Sequence, residues 1–422
     1  MKILLINAYD RSSKGDAMLL SQSIKLLTKA FPGARIMISS MEDTARFARF
    51  EGHKNLGSFR LDGDAPHLIK PLRILYKAYL IMSSLLWARL NASPARGTRA
   101  DWVLPKRLRA LCRQHRSSDL VVSVAGGYLN ASSGLSGDLN VLFMMHAIRF
   151  ATYLKKPTIL LNQTVGPFGS KLQRRIAHWG LSDVLLIITR EKISYDLLMS
   201  LGIPRQKVHA SIDLGFLAGQ NQSPSPRLKK PTVKKVGITA SVRLLSKPQK
   251  HYEQALSNFM NQESASRGLQ FVGLPQSTST YQNDGDQAIY ARLLNRSKNS
   301  SFTIDDRDLD HHQIISEYAT CDLTIGTRFH SVIFSLINYV PSIAIEYDYK
   351  TTGIMLDLGL EKWVIKVQDV TLPLMSEMFE NLLSEYSDYI KTLQEVLPDY
   401  ISRAALLPKL LNDTYNLRPQ QH

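Results

Sequence analysis

The chain opens on Lys-Ile-Leu-Leu-Ile-Asn over 2–7, whose short apolar run over 3–6 is the pattern of a strand buried on both faces. A polar loop with Gly15-Asp16 follows. Apolar positions at helical spacing then run over 17–31, stop at Pro32-Gly33, and give way to a second strand over 34–40. The alternation resumes with a β-branched strand over 119–125 ending in Gly126-Gly127, a helix around 138–154, and strands at 157–162, 185–190 and 208–212. Strands alternating with helices of this length predict a parallel, doubly wound sheet.

The stretch from Gly219 to Pro226 is rich in Ser, Pro, Asn and Gln, and the basic run behind it to Lys235 lacks apolar periodicity. Both read as a linker. Beyond it the alternation restarts, with strands at 236–241, 269–274, 302–304, 322–326 and 342–346 and helices at 251–267, 287–298, 312–321 and 330–339. The expected organisation is an N-terminal Rossmann-like domain over 1–218 with a basic, apolar helical insertion at about 66–116, a linker over 219–234, a C-terminal Rossmann-like domain over 235–371, and a helical tail over 372–422. Two doubly wound domains joined in this way predict a GT-B-like α/β fold with its active site in the interdomain cleft, since ligands of open α/β sheets bind beyond the carboxyl ends of the strands.

Composition narrows the function class. At 422 residues the chain exceeds one hydrophobic core, and 44% hydrophobic with 21% charged residues excludes a disordered chain. Cys112 and Cys321 both fall in helical patterns, so neither a disulfide framework nor a zinc cluster is expected, and a reducing compartment follows. The opening apolar run is too short for a signal peptide, and no stretch reaches the roughly 20 apolar residues of a spanning helix. A cytoplasmic protein is the expectation. The net charge of +16 asks for an anionic partner: a phosphorylated substrate, an anionic membrane surface or nucleic acid. Nucleic acid ranks last, because no finger or aromatic RNA-binding strand is present. The stretch 66–91 is apolar, aromatic and flanked by Lys and Arg. It reads either as an interfacial helix on an anionic membrane, which would make the protein peripheral on the inner face, or as a buried or interdomain helix.

Candidate chemistry sits at predicted strand ends. In Thr324-Ile-Gly326-Thr-Arg328-Phe-His330-Ser331 a strand enters a helix, whose N-terminus offers unpaired N–H groups. Arg328 can hold a carboxylate or phosphate through two parallel bonds, and His330 can exchange a proton near neutral pH. The competing reading is a structural ion pair and a capping imidazole. Lys350, in Tyr347-Asp348-Tyr-Lys350, puts a cation at the neighbouring strand end, although exposed Asp/Lys pairs are common. Asp16 either lines the cleft or caps its helix. Gly126 and Gly127 either let the backbone approach a ligand or make a tight turn. Arg190 is a second anion candidate, against surface pairing with Glu191.

In this order the residues resemble the polysaccharide pyruvyl transferases. The blocks are Asn7 with Gly15-Asp16; Asp119 and Gly126-Gly127; Gly166-Pro167-Phe168; Arg190-Glu191 with Ser194; Gly202-Ile203 before Asp213; Arg243; Asp322 with Gly326-x-Arg328-x-His330; and Pro341 with Tyr347-Asp348-x-Lys350. The resemblance spans roughly 1–360. Tyr128 stands where the family often has another glycine, and Phe329 where leucine is commoner.

The resemblance implies transfer of a pyruvyl group from phosphoenolpyruvate, as co-substrate, to hydroxyls of a polysaccharide or lipid-linked sugar, forming a pyruvate ketal. It implies neither a cofactor nor a metal. Arg190, Arg328 and Lys350, with Arg243, would hold the small polyanion, beside Gly126, Gly127 and Asp213. His330 would exchange the proton at the methylene carbon, and Asp16 or Asp213 would take the sugar proton. The rivals are a glycosyltransferase of the same architecture using a nucleotide sugar, and a non-catalytic scaffold of a glycan assembly machinery.

Overall fold

A computed structural model describes residues 1–9, 12–40, 48–57, 59, 70–92, 101–131, 134–221, 232–242, 249–278, 285–297 and 301–418. Two compact units result. One holds Met1–Asp10, Leu19–Leu214 and Ala404–His422; the other holds Arg11–Met18 and Gly215–Arg403. Each is an α/β Rossmann-like domain built on a parallel sheet, as the alternation predicts.

In the first unit Lys2–Ala8 lies between Arg35–Ser40 and Leu120–Ser123, and Thr158–Phe168, Leu186–Thr189 and Val208–Ala210 extend the sheet. All these pairings are parallel. The strand residues are almost wholly buried, as apolar runs without alternation require. In the second unit the order is Phe302–Ile304, Gln270–Gly273, Lys235–Thr239, Leu323–Gly326, Ser342–Glu346 and Val364–Lys366. The order in which successive strands are added therefore reverses between Lys235–Thr239 and Leu323–Gly326, although all run parallel. That pair is the topological switch point, where open α/β sheets bind ligands.

One Asp opens the central pairing of each sheet. Asp119 accepts from the Lys2 amide at 2.7 Å, and Asp322 accepts from the amides of Lys234 and Lys235 at 2.9 and 3.0 Å. Both belong to the family-like blocks, and both clamp strand starts, at the end opposite the carboxyl ends of the strands.

Several expectations need correction. Gly126-Gly127 is not a turn: Gly126–Ala131 is itself a strand paired with Thr158–Phe168, which runs on past the expected strand end at 162. The first helix starts at Lys14 rather than at 17, so Asp16 sits in its first turn instead of capping it. The tail is not one body. Leu372–Ser384 and Tyr386–Ser402 belong to the second unit, where Phe379 packs on Phe259. Leu407–Asn416 belongs to the first, where Asn412 donates to the Ala30 carbonyl at 2.9 Å and Tyr415 meets Phe31. Of the expected linker, 219–221 closes the 3-10 helix Leu214–Asn221, and 222–231 lies outside the described residues.

The insertion forms the helix Lys70–Leu90, the 3-10 turn Asp101–Val103 and the helix Lys106–Ser117. The inner face of the long helix supplies Leu80, Trp87 and Ala88 to a core shared with Leu104, Leu108, Cys112, Phe150 and Leu154. Full burial of such side chains stabilises by about 1.5–3 kcal/mol each. His115 and His146 lie in the same core, their rings against Phe59 and Phe150. The Ser84 hydroxyl meets His146 Nε2 at 2.7 Å, whereas neither ring nitrogen of His115 has a hydrogen-bond partner among the described residues.

Burial, with a smaller contribution from His146, lowers His115 from 6.5 to about 3, and burial lowers His146 from 6.5 to about 4. Both stay neutral when folded while the unfolded chain takes up protons below 6.5, so stability is complete above that pH and falls as pH drops towards 4. His115→Leu should leave the melting temperature at pH 8 unchanged or higher, because a buried polar group without a partner is removed, and should flatten the acid decline. A lower melting temperature at pH 8 would refute this account of His115.

Candidate functional site

At the switch point of the second sheet the strand Leu323–Gly326 passes through Thr327 and Arg328 into the helix Phe329–Leu336. Gly326 permits the tight entry: a Cβ there would lie 2.8 Å from Ser331 Oγ and 3.0 Å from a Val332 methyl. The junction is tied across the two central strands. The Thr327 amide donates to the Thr239 carbonyl at 3.0 Å, and the Thr239 and Ser331 hydroxyls meet at 2.6 Å.

Arg328 turns towards Asp286. Its Nε donates to Asp286 Oδ1 at 3.1 Å, and its Nη2 donates to the same oxygen. The other carboxylate oxygen accepts from the amides of Gln276 at 2.7 Å and Ser277 at 2.9 Å. Burial pushes the Asp286 carboxyl upward while the Arg328 charge and those bonds pull it down, leaving it above the ordinary range. Ser277 in turn bridges to Ser13, and the Lys14 amide donates to the Gln276 carbonyl at 2.9 Å. Residues 12–18 are thus strapped onto the second unit. At the end of this path Gly15 rests against the His330 ring, where a methyl group would overlap Nδ1, Cγ and Cβ.

Two lysines attend this junction. The buried Lys14 has its Nζ 3.5 Å from Asp308, whose side chain is exposed. Lys350 opens the helix Lys350–Asp357; its Nζ pairs with Asp348 at 3.0 Å and lies 5.5 Å from the centre of the Phe329 ring.

The first unit gathers its own polar cluster at the carboxyl ends of its strands. Asn7 and Asn162 adopt positive φ, 59° and 37°, where the register of their strands shifts. Such bulges re-aim side chains. Asn7 donates to Ser123 Oγ at 3.0 Å, the Ser123 and Tyr128 hydroxyls meet, and Gln163 donates to the Tyr128 hydroxyl at 3.0 Å. A Cβ on Gly126 would lie 3.1 Å from the Tyr128 ring, so this glycine seats Tyr128. Arg190 is buried; its Nη1 donates to Asp213 Oδ2 and its Nε to Thr164, both at 2.6 Å. Glu191 accepts from Thr164 at 3.2 Å and from Ser194, and burial raises its carboxyl above the ordinary range.

The sequence pattern of the polysaccharide pyruvyl transferase family matches residues 14–349. The chain belongs to that family. It is 26% identical over 306 residues to the amylovoran biosynthesis protein AmsJ of Erwinia amylovora, covering 69% of this chain and 71% of the relative. Among solved structures, MnaA of S. aureus with UDP superimposes with a TM-score of 0.61 at 11% identity, over 100% of both chains. The UDP-GlcNAc 2-epimerase of Neisseria meningitidis bound to UDP-GlcNAc gives 0.57 at 13%, over 99% of this chain and 100% of that one. At such identity the likeness shows the fold alone, a GT-B-like pair of Rossmann-like domains.

For this pyruvyl transferase family member the expected site residues sort by unit. His330, Arg328, Lys350 and Asp16 fall in the second, and Asp16 arrives there on the strap. Arg190, Asp213, Gly126 and Gly127 fall in the first, and Arg243 lies outside the described residues. Instead of the expected surface pairing with Glu191, Arg190 pairs chiefly with Asp213 in the interior, and Glu191, itself buried, stands 3.5 Å from its Nε. Reading the sequence missed Lys14 and Asp286, and named Glu191 only as a surface partner of Arg190. Only Lys14 had a signal, as a cation beside Gly15.

Breaking a buried ion pair from one side strands the remaining charge at a cost of about 3–5 kcal/mol, whereas replacing both partners by apolar groups is often neutral. Arg190→Met alone should therefore shift urea unfolding by that order, and Arg190→Met with Asp213→Leu should recover most of it. If the single variant unfolds like wild type, Arg190 is not a structural ion pair.

Proposed function

We propose that this transferase takes a pyruvyl group from phosphoenolpyruvate and places it as a cyclic ketal on two hydroxyls of a sugar in exopolysaccharide or cell-surface glycan synthesis. Family membership supports the reaction class. The observation that carries the site is the seating of Gly15 on the His330 ring at the sheet's switch point, which fixes a titratable imidazole beside a helix N-terminus.

In the proposed reaction His330 delivers a proton to the methylene carbon of phosphoenolpyruvate. The neighbouring carbon becomes oxocarbenium-like, one sugar hydroxyl attacks it, and the second hydroxyl displaces phosphate. One hydroxyl proton is thereby accounted for in the new methyl group and the other in the released phosphate. Asp16 is the nearest carboxylate in sequence to Gly15 and is assigned to relay the sugar proton. Lys14 and Lys350 are assigned to the donor's carboxylate and phosphate. Arg328, whose Nε and Nη2 face Asp286, contributes through that edge by holding the junction in place. The acceptor is a polymer or a lipid-linked sugar.

Phosphoenolpyruvate should raise the melting temperature of the purified protein and UDP should not. With a pyruvylatable glycan present, His330→Ala should cut phosphate release by about 10²-fold or more. Gly15→Ala should cut it by a similar order, because displacement of a reacting group by about 1 Å costs about 10²-fold. Stabilisation by UDP alone would overturn the donor assignment, and full activity of His330→Ala would overturn the role of the imidazole.

A further inference from the structure

The helix Lys70–Leu90 buries one face in its own domain, yet its other face is also apolar. Leu72, Leu75, Tyr79, Met82, Leu86 and Leu90 recur at intervals of three or four residues and are all exposed, Leu75 at 66% and Met82 at 71%. At about 1.5 Å per residue the helix is about 31 Å long, so the stripe covers most of that length. Trp102 stands beside it at 82% exposure; its 3-10 turn is tied to the helix by the Tyr79 hydroxyl, which donates to the Val103 carbonyl at 3.3 Å. An apolar surface of this extent on a monomer marks an interaction site.

Charge identifies the occupant. The helix carries Lys70, Arg73, Lys77 and Arg89 with no acid, and the adjoining helix Lys106–Ser117 carries Lys106, Arg107, Arg109, Arg113 and Arg116 with no acid. Asp101, in the turn between them, is paired with Arg113. The stems of two cations lie along the rim, Lys77 with its Nζ 5.3 Å from the Phe143 ring centre and Arg89 stacked 4.3 Å from that of Tyr153. An apolar stripe with Trp and Tyr, flanked among the described residues chiefly by cations, has the chemistry of a surface that enters the headgroup layer of an anionic bilayer. Leu75, Tyr79, Met82 and Leu86 also have coiled-coil spacing. A second copy, however, would bring like charges together with no carboxylates in these helices to answer them. Among the described residues no helix is long and apolar enough to cross a membrane, which leaves an in-plane arrangement for this one.

We propose that the outer face of Lys70–Leu90, with Trp102, docks the protein on an anionic lipid surface, lying in the interface plane. Apolar burial and attraction of Lys and Arg to the headgroups act together there. This inference does not depend on the reaction proposed above, because partitioning is measured without turnover.

The test is cosedimentation of the full chain with vesicles of phosphatidylcholine alone, or with phosphatidylglycerol added, at low and high salt. Wild type should partition into the anionic vesicles at least about tenfold better than into neutral ones, and high salt should weaken that preference. Leu75→Glu and Met82→Glu should each lower partitioning by about tenfold or more, and Lys106→Glu should lower it less, all with unchanged melting temperatures. These positions face solvent, so the fold should survive each change. Failure to bind anionic vesicles at low salt overturns the proposal, as do stripe variants that bind like wild type. Light scattering that shows a dimer abolished by Leu75→Glu would give the face to a second copy instead, and overturn it equally.

Discussion

The second domain's site hangs on one buried carboxylate. Asp286 lies in no strand and touches no neighbour in sequence that matters to the site, yet it joins three separate pieces of chain. It grips Arg328 at the mouth of the helix Phe329–Leu336, and it accepts the amides of Gln276 and Ser277. Those residues hold the strap of Ser13 and Lys14, and the strap presses Gly15 on His330. A carboxylate surrounded by a guanidinium and two amide donors has its desolvation partly offset by charge-assisted bonds of fixed direction. Remove it and Arg328 keeps its charge without its partner, the 276–277 segment loses its anchor, and the imidazole loses the wall that positions it. The geometry at His330 is thus set by groups that need never meet a substrate.

The same economy recurs in the first domain, where Arg190 turns inward on Asp213. Both arginines were read from sequence as anion ligands, because a guanidinium at the carboxyl end of a parallel strand is where substrates bind. Position could not distinguish a ligand from a fastener. Asp213 lies 23 residues beyond Arg190, and Asp286 lies 42 before Arg328. Neither pairing follows from helical or strand periodicity. For Asp119 and Asp322 the structural role is plainer still, since both clamp strand starts at the opposite end of each sheet.

The fold itself was largely legible. Short, mostly apolar and β-branched segments marked the central strands, and helices of ordinary length between them implied parallel order. The failures lie where backbone geometry departs from the periodic pattern. Gly126–Ala131 was hidden because two glycines read as a turn, although here the first makes room for the Tyr128 ring. The extension of Thr158–Phe168 was hidden by Gly166-Pro167, which ends a strand in most contexts. The strap was least legible of all. Residues 12–16 lack any apolar signal, and the strap's allegiance to the second domain rests on backbone hydrogen bonds to 276–278, which no side-chain pattern reports.

The helix Lys70–Leu90 shows a different limit. Its sequence admitted a buried helix or an interfacial one, and the structure buries one face and leaves the other exposed. Leu80, Trp87 and Ala88 close a core, while Leu75, Met82 and Leu86 stand outside it. Periodicity could not separate the two, because a helix that is apolar all round has no polar face to say which side is wet. Burial supplies the missing direction. Cores are close-packed, so side chains excluded from one are not spare packing but surface held outward at a free-energy cost in water. A domain that already meets its need for a core on one side of a helix gains no fold stability from six large apolar side chains on the other, and selection for folding alone would let polar residues replace them.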